Sequence, residues 1–320
     1  MPGGDDAAAP EGAAGADGAE ATFRQQYLFA FAPQAELVQH VRTQAAPAEV
    51  ARLPELLEAW NAAQSRLQSL LRREAGQVGG GPAVPIPAEI EEQVAGYAAD
   101  PMFQRTIWKL PVRFGMVEID RLVAAQRHVH LDYADALAAA YPAKPTLADL
   151  AAICLSPDRS AQPVQHLEIA PNAHIFSSPN PDLRFLGSYV RPLEPGDLEH
   201  AHGGGVPAAV LISFVGFSWS AVSVFEAGGR LVLANGFHRL FALRRLGVRQ
   251  VPAVIQIARN PALEFPPSVA QLPREYLLGA PRPALMRDFA EPAYSVELRI
   301  RRRLKMVLVN MSLGQHEVPY

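Results

Sequence analysis

A chain of 320 residues with 49% hydrophobic content can bury a substantial core, and it exceeds the roughly 100 to 200 residues usual for one domain. A net charge of −3 and an isoelectric point near 6.3 exclude an overall basic field that would draw the whole molecule onto nucleic acid or an anionic membrane. Any such contact has to be local. The single cysteine, Cys154, excludes an intrachain disulfide, and within Leu150-Ala-Ala-Ile-Cys-Leu155 it reads as a buried thiol rather than a nucleophile.

The opening Met1-Pro-Gly-Gly-Asp-Asp lacks the basic and apolar regions of a signal peptide, so a cytoplasmic protein is the expectation. Residues 1–22 are Ala, Gly, Pro and acids with almost nothing to bury, which predicts a disordered tail. Residues 23–75 read as a helical segment. Val50, Leu53, Leu57, Trp60, Leu67 and Leu71 fall at helical spacing, with Pro47 and Pro54 as breaks or starts. Such a stripe predicts a helical hairpin covering the main domain, with a protein-binding role for these helices as the alternative.

Glycines and prolines over residues 76–87 mark a linker, which would let the helices before it move independently. The main domain is expected over 88–260. It holds a short helix near Ala88–Ala98, a strand and turn over Val112–Leu122, a helix over Asp132–Ala140 and alternating chain over Val164–Phe176. Residues 192–205 read as a long loop. Val206–Phe225 is uncharged over 20 residues, the length that spans a bilayer, but its Pro207, serines and β-branched residues are strand grammar, so no membrane contact is expected. Residues 261–320 form a proline-rich extension in which Val296–Val309 alternates apolar residues with Arg299, Arg301, Arg303 and Lys305. That pattern predicts one strand with a cationic face, either solvated or able to follow a nucleic-acid backbone.

The chemistry concentrates at Leu231–Gln256, read as strand, turn Asn235-Gly236, helix Phe237–Leu246, stop Gly247 and a second strand. Gly236 permits backbone angles closed to other residues, and the free N–H groups of a helix start attract an anion. His238 and Arg239 add donors suited to phosphate oxygens. The competing reading is an ordinary turn whose polar residues cap the helix.

The block Asn235-Gly-Phe-His-Arg through Gly247 to Val251-Pro-Ala-Val-Ile255 resembles the signature of the ParB/sulfiredoxin superfamily. There a Gly-x-His-Arg or Gly-Glu-Arg-Arg turn opens a helix that a Gly and a Val-Pro strand follow. Val117–Leu122 and the helix at Asp132 resemble that family's opening strand and first helix, so the likeness covers about residues 110 to 258. It implies an α+β fold with a ParB/sulfiredoxin-like mixed sheet, and nucleotide-phosphate contacts at Asn235, Gly236, His238 and Arg239. Sulfiredoxins place a catalytic Cys where this chain has Phe237, which argues against repair of oxidised peroxiredoxin. Chromosome-partition members carry Gly-Glu-Arg-Arg and a following helix-turn-helix, neither of which is read here. Kinases of free serine, with Asp-Gly-His-His-Arg, are the closest motif match.

The resemblance therefore implies a nucleotide (ATP, ADP or CTP) with Mg²⁺, or a phosphorylated small molecule, and allows phosphotransfer or nucleotide hydrolysis. A kinase also needs a carboxylate to accept a proton. Glu118, Asp120 and Asp132 are the candidates, with His238 as a further catalytic group. The alternatives are a DNA-associated regulator that uses nucleotide as a switch, and a non-catalytic scaffold. His128-Val-His130 and His200-Ala-His202 each resemble half a metal site, but no spacing supplies a third ligand and no metal is assigned.

Overall fold

A computed structural model describes residues 21–76, 81, 83–106, 110–156, 163–170, 172–200, 205–217, 220–270, 272–312, 314 and 316–319. Its architecture is mixed α+β, assembled from several sheets. Strand β1 (Thr22–Tyr27) precedes helices α1 (Gln34–Gln44), α2 (Pro47–Ala51) and α3 (Leu53–Arg73). Next come α4 (Glu91–Ala98), α5 (Pro101–Thr106), β2 (Val112–Glu118), β3 (Val123–Ala124), β4 (His128–His130), α6 (Leu131–Ala140) and α7 (Leu147–Leu155). Strands β5 (Gln165–Ala170), β6 (Ala173–Ser178), β7 (Arg184–Arg191), β8 (Val210–Gly216), β9 (Ser223–Ala227) and β10 (Arg230–Asn235) follow, then α8 (Phe237–Arg245) and β11 (Gln250–Ile257). The chain closes with α9 (Pro261–Glu264), β12 (Ser268–Val269), β13 (Leu272–Pro273), β14 (Val296–Arg301) and β15 (Lys305–Asn310).

The central sheet has the order β2-β11-β9-β10-β3 and is mixed. Strand β11 runs antiparallel to β2 and parallel to β9, and β10 runs antiparallel to β9 and parallel to β3. Val251, Ala253, Val254 and Ile255 are all fully buried, as a strand covered on both faces requires. Among the described residues no helix is long and apolar enough to cross a membrane. The uncharged stretch from Val206 resolves instead into β8 and β9, which join different sheets.

The N-terminal region departs from the expected helical segment. Its first element is a strand, and β1 lies in the middle of a sheet ordered β14-β1-β4, with Tyr27 opposite Val296 and Gln25 opposite both Leu298 and His130. The alternation of Phe23, Gln25 and Tyr27 suits a strand with one face inward. Spacing alone holds no record of which distant strand it will join. Leu37, Val41 and Leu67 share one contiguous core with Val232 and Leu298. The expected linker is tied down at Val84, whose N–H donates to the Met116 carbonyl at 3.0 Å and whose carbonyl accepts from the Met116 N–H at 2.8 Å, while residues 77–80 and 82 lie outside the described residues. Residues 23–75, the main domain and the C-terminal extension are therefore packed together. The disordered-tail expectation lies outside the described residues except for Ala21 and Thr22.

The basic strand is likewise two strands. β14 turns Leu298 and Ile300 into the core, whereas β15 joins a separate sheet ordered β15-β6-β5. Arg299 and Arg301 thus belong to one sheet, Lys305 to another, and Arg303 to the connection between them.

Candidate functional site

Strand β10 delivers the chain to Asn235 and Gly236. Gly236 has φ +104°, and a Cβ there would lie 2.8 Å from Val222 Cγ2, so both the backbone angle and the space demand glycine. The close approach is to protein. Asn235 fixes the turn: its Oδ1 accepts the Gly236 N–H at 2.8 Å, and its Nδ2 donates to the Ala221 carbonyl at 3.2 Å. The first bond inside α8 runs from the Leu240 N–H to the Gly236 carbonyl at 2.9 Å, so the Phe237 and His238 N–H groups precede the helical ladder. Leu240 and Leu243 anchor the opposite face in the core, and Gly247, φ +83°, ends the helix.

His238 points into a nest of rings. Its ring centre lies 5.3 Å from Tyr133 and 6.3 Å from His130, edge to face in both cases. Part of its surface still reaches solvent, but its Nε2 is sealed and has no hydrogen-bond partner, and the same holds for His130 Nε2. Burial pushes the His238 pKa down to about 3, with His128, His130 and Arg239 acting in the same direction. The imidazole is therefore neutral at pH 7. His130 immediately precedes α6, so the start of that helix sits beside the start of α8.

Arg239 Nη1 donates to the Ile153 carbonyl at 3.0 Å, on the last turn of α7. A guanidinium there complements the negative end of the helix dipole. Next to Ile153, burial pushes the Cys154 thiol up to about 12 against a small opposing effect of Arg239, in keeping with an inert buried thiol.

Of the candidate carboxylates only Asp132 comes near this turn, close enough to His130 to oppose the fall in its pKa, and it is already engaged by Arg24. Asp120 is paired with Arg244 in the last turn of α8, about 11 Å along the axis from its start. Glu118 lies 3.9 Å from Arg121, and Asp132 accepts from Arg24 Nε at 2.7 Å and from its backbone N–H at 3.0 Å. The structure thus groups Asn235, Gly236 and His238, turns the Arg239 side chain onto α7, and leaves Asp120 at the opposite end of α8. Sequence reasoning missed His130 as a partner of His238, having read it as half a metal pair, and it missed Tyr133. The signal was the position of His130 one residue before an acidic helix start.

No family model, curated protein or solved structure matches this chain. Among the described residues, no group of three or more His, Cys, Asp and Glu side chains converges as a metal site. His202 and the His200 side chain lie outside what is described. In the basic region, Arg301 Nη2 donates to the Thr43 carbonyl at 2.9 Å, Arg303 donates to the same oxygen, and the Arg299 N–H donates to Glu49 Oε1 at 3.2 Å.

Proposed function

We propose that the start of α8 binds a phosphate-bearing small molecule, with a nucleotide as the leading class. The observation that carries this reading is the pair of sealed, unpartnered Nε2 atoms on His238 and His130 beside a glycine-capped helix start. A buried polar atom without a partner costs about 1 to 3 kcal/mol, so a ligand that supplies the missing partner gains what the empty site forgoes. Helix N–H groups favour that ligand being an anion. The resemblance of Asn235–Ile255 to nucleotide-binding turns of the ParB/sulfiredoxin superfamily supports the same choice. For Arg239 to join, its guanidinium must leave the Ile153 carbonyl. Any Mg²⁺ would arrive with the nucleotide, and phosphotransfer or hydrolysis would need a carboxylate brought in by the ligand-bound conformation.

The test is calorimetric titration with ATP, ADP, CTP and inorganic phosphate, each with Mg²⁺, on the wild type, His238→Gln and Arg239→Ala. Binding of at least one ligand is expected, weakened about tenfold or more in His238→Gln. His238 stays neutral to well below pH 6, so it offers only an uncharged N–H donor, and affinity should change little between pH 8 and 6 beyond the effect of the phosphate's own titration. No binding to the intact, folded protein would sink the proposal.

A further inference from the structure

The start of α8 offers a phosphate no committed cation of its own. His130 and His238 are neutral imidazoles at pH 7, Arg239 is turned onto the Ile153 carbonyl, and Arg24 is held by Asp132 and Asp135. The register of the β14-β1-β4 sheet brings one from the C-terminal extension. Phe23 lies opposite Ile300, and Gln25 opposite both Leu298 and His130, so the even-numbered positions of β14 share a face with Phe23 and His130. Arg302, directly after β14, continues that series. Its N–H donates to the Ala21 carbonyl at 2.8 Å, and its Nε donates to the Thr22 carbonyl at 3.4 Å. Successive residues of a strand present their backbone groups to opposite neighbours. The Ala21 carbonyl faces the β14 side, so the Thr22 carbonyl faces the other edge, where Asp132 takes the Arg24 N–H. The Arg302 side chain thus crosses β1 toward the start of α6. Burial, and after it the charge of Arg302, lowers the His130 pKa, and the Phe23 ring lies 3.8 Å from the His130 ring between centres on the same face. Arg302 is exposed and, among the described residues, forms no salt bridge. The alternation that singles out Arg299, Arg301 and Arg303 passes over it because it lies on the other face.

We propose that Arg302 binds the outer phosphate of a ligand whose inner phosphate sits at the start of α8, which makes the ligand class one with two or more linked phosphates. This rests on the phosphate reading above. A guanidinium is always charged and forks onto phosphate oxygens, whereas each neutral ring offers a single hydrogen bond. Reach sets the length of the ligand. Helix α8 packs on β4, and β14 stands two strands away, a distance of about 10 Å. A hydrogen bond covers about 3 Å. Arg302 closes part of the gap by crossing β1, and a second phosphate closes the rest.

Calorimetry on the full chain with ADP and AMP, each with Mg²⁺, tests this role. The wild type is expected to bind ADP at least about tenfold more tightly than AMP. Arg302→Ala should close that gap while leaving AMP within about twofold, and Arg302→Gln, which keeps a donor for Thr22 but no charge, should do the same. Arg303→Ala, which removes a guanidinium held by the Thr43 carbonyl, should leave both ligands within about twofold. His238→Gln should weaken both nucleotides alike. A wild type that binds AMP as tightly as ADP would overturn the proposal, as would an equal loss of both ligands in Arg302→Ala, or the same change in Arg303→Ala. If Arg302→Ala keeps the gap while His238→Gln weakens both nucleotides, Arg302 has no part in the site and the phosphate reading stands without it. If the folded wild type binds neither nucleotide, nor ATP or pyrophosphate, both fall together.

Discussion

At Gly236 the left-handed backbone and the 2.8 Å approach to Val222 both forbid a Cβ. Gly236→Ala is expected to destabilise the protein by about 1 to 3 kcal/mol in urea unfolding, whatever the ligand does. A second residue-scale expectation concerns acid. Burial lowers His40 to about 4 and His238 to about 3, from an ordinary value of 6.5. Above pH 6.5 both imidazoles are neutral folded and unfolded, and their effect vanishes. Below it the unfolded chain binds protons that the folded chain refuses, so stability falls as pH drops from 6.5 toward 4. Each such group contributes about 1.4 kcal/mol per pH unit. Unfolding midpoints measured from pH 7 to 4.5 should decline less steeply in His40→Gln and His238→Gln. The turn was legible in sequence because glycine, histidine and arginine announce themselves locally. The burial of His238 Nε2 was not, since His130 and Tyr133 arrive from more than a hundred residues upstream.

Elements with their own punctuation were equally legible. Gly236 and Gly247 bracket α8, and Pro47 and Pro54 open α2 and α3 as their missing N–H groups allow. What local pattern could not show is how elements join. Arg282 illustrates this: fully buried, it holds Asp288 through a two-pronged pair that includes Nη2 to Oδ1 at 2.8 Å, and its Nε reaches Glu74 at 3.0 Å, just past α3. The proline-rich extension is thereby clamped to the N-terminal helices. Arg282→Met strands the Asp288 carboxylate and should cost about 3 to 5 kcal/mol, with Arg282→Met/Asp288→Leu recovering part of the loss. Thermal unfolding of the two variants checks this.

For the whole molecule, one core joins α3, the central sheet and β14. Amides of α3 and β11 should therefore exchange with deuterium through the same global opening, and those of β5 and β7, which contribute nothing to that core, through easier local ones. Exchange in α3 that is orders of magnitude faster than in β11 would mean that the helices come away on their own.

The position of β1 between β4 and β14 also sets a schedule for synthesis. Gln26 and Ser295 are hydrogen-bonded across 269 residues, so β1, the first of the described strands, waits for β14. At roughly 5 to 20 residues per second that wait is about 13 to 54 s, during which Phe23 and Tyr27 have no finished sheet to enter. Nascent chains stalled before residue 296 should therefore remain protease-sensitive and engage chaperones, while synthesis beyond β14 lets β1 and β14 pair.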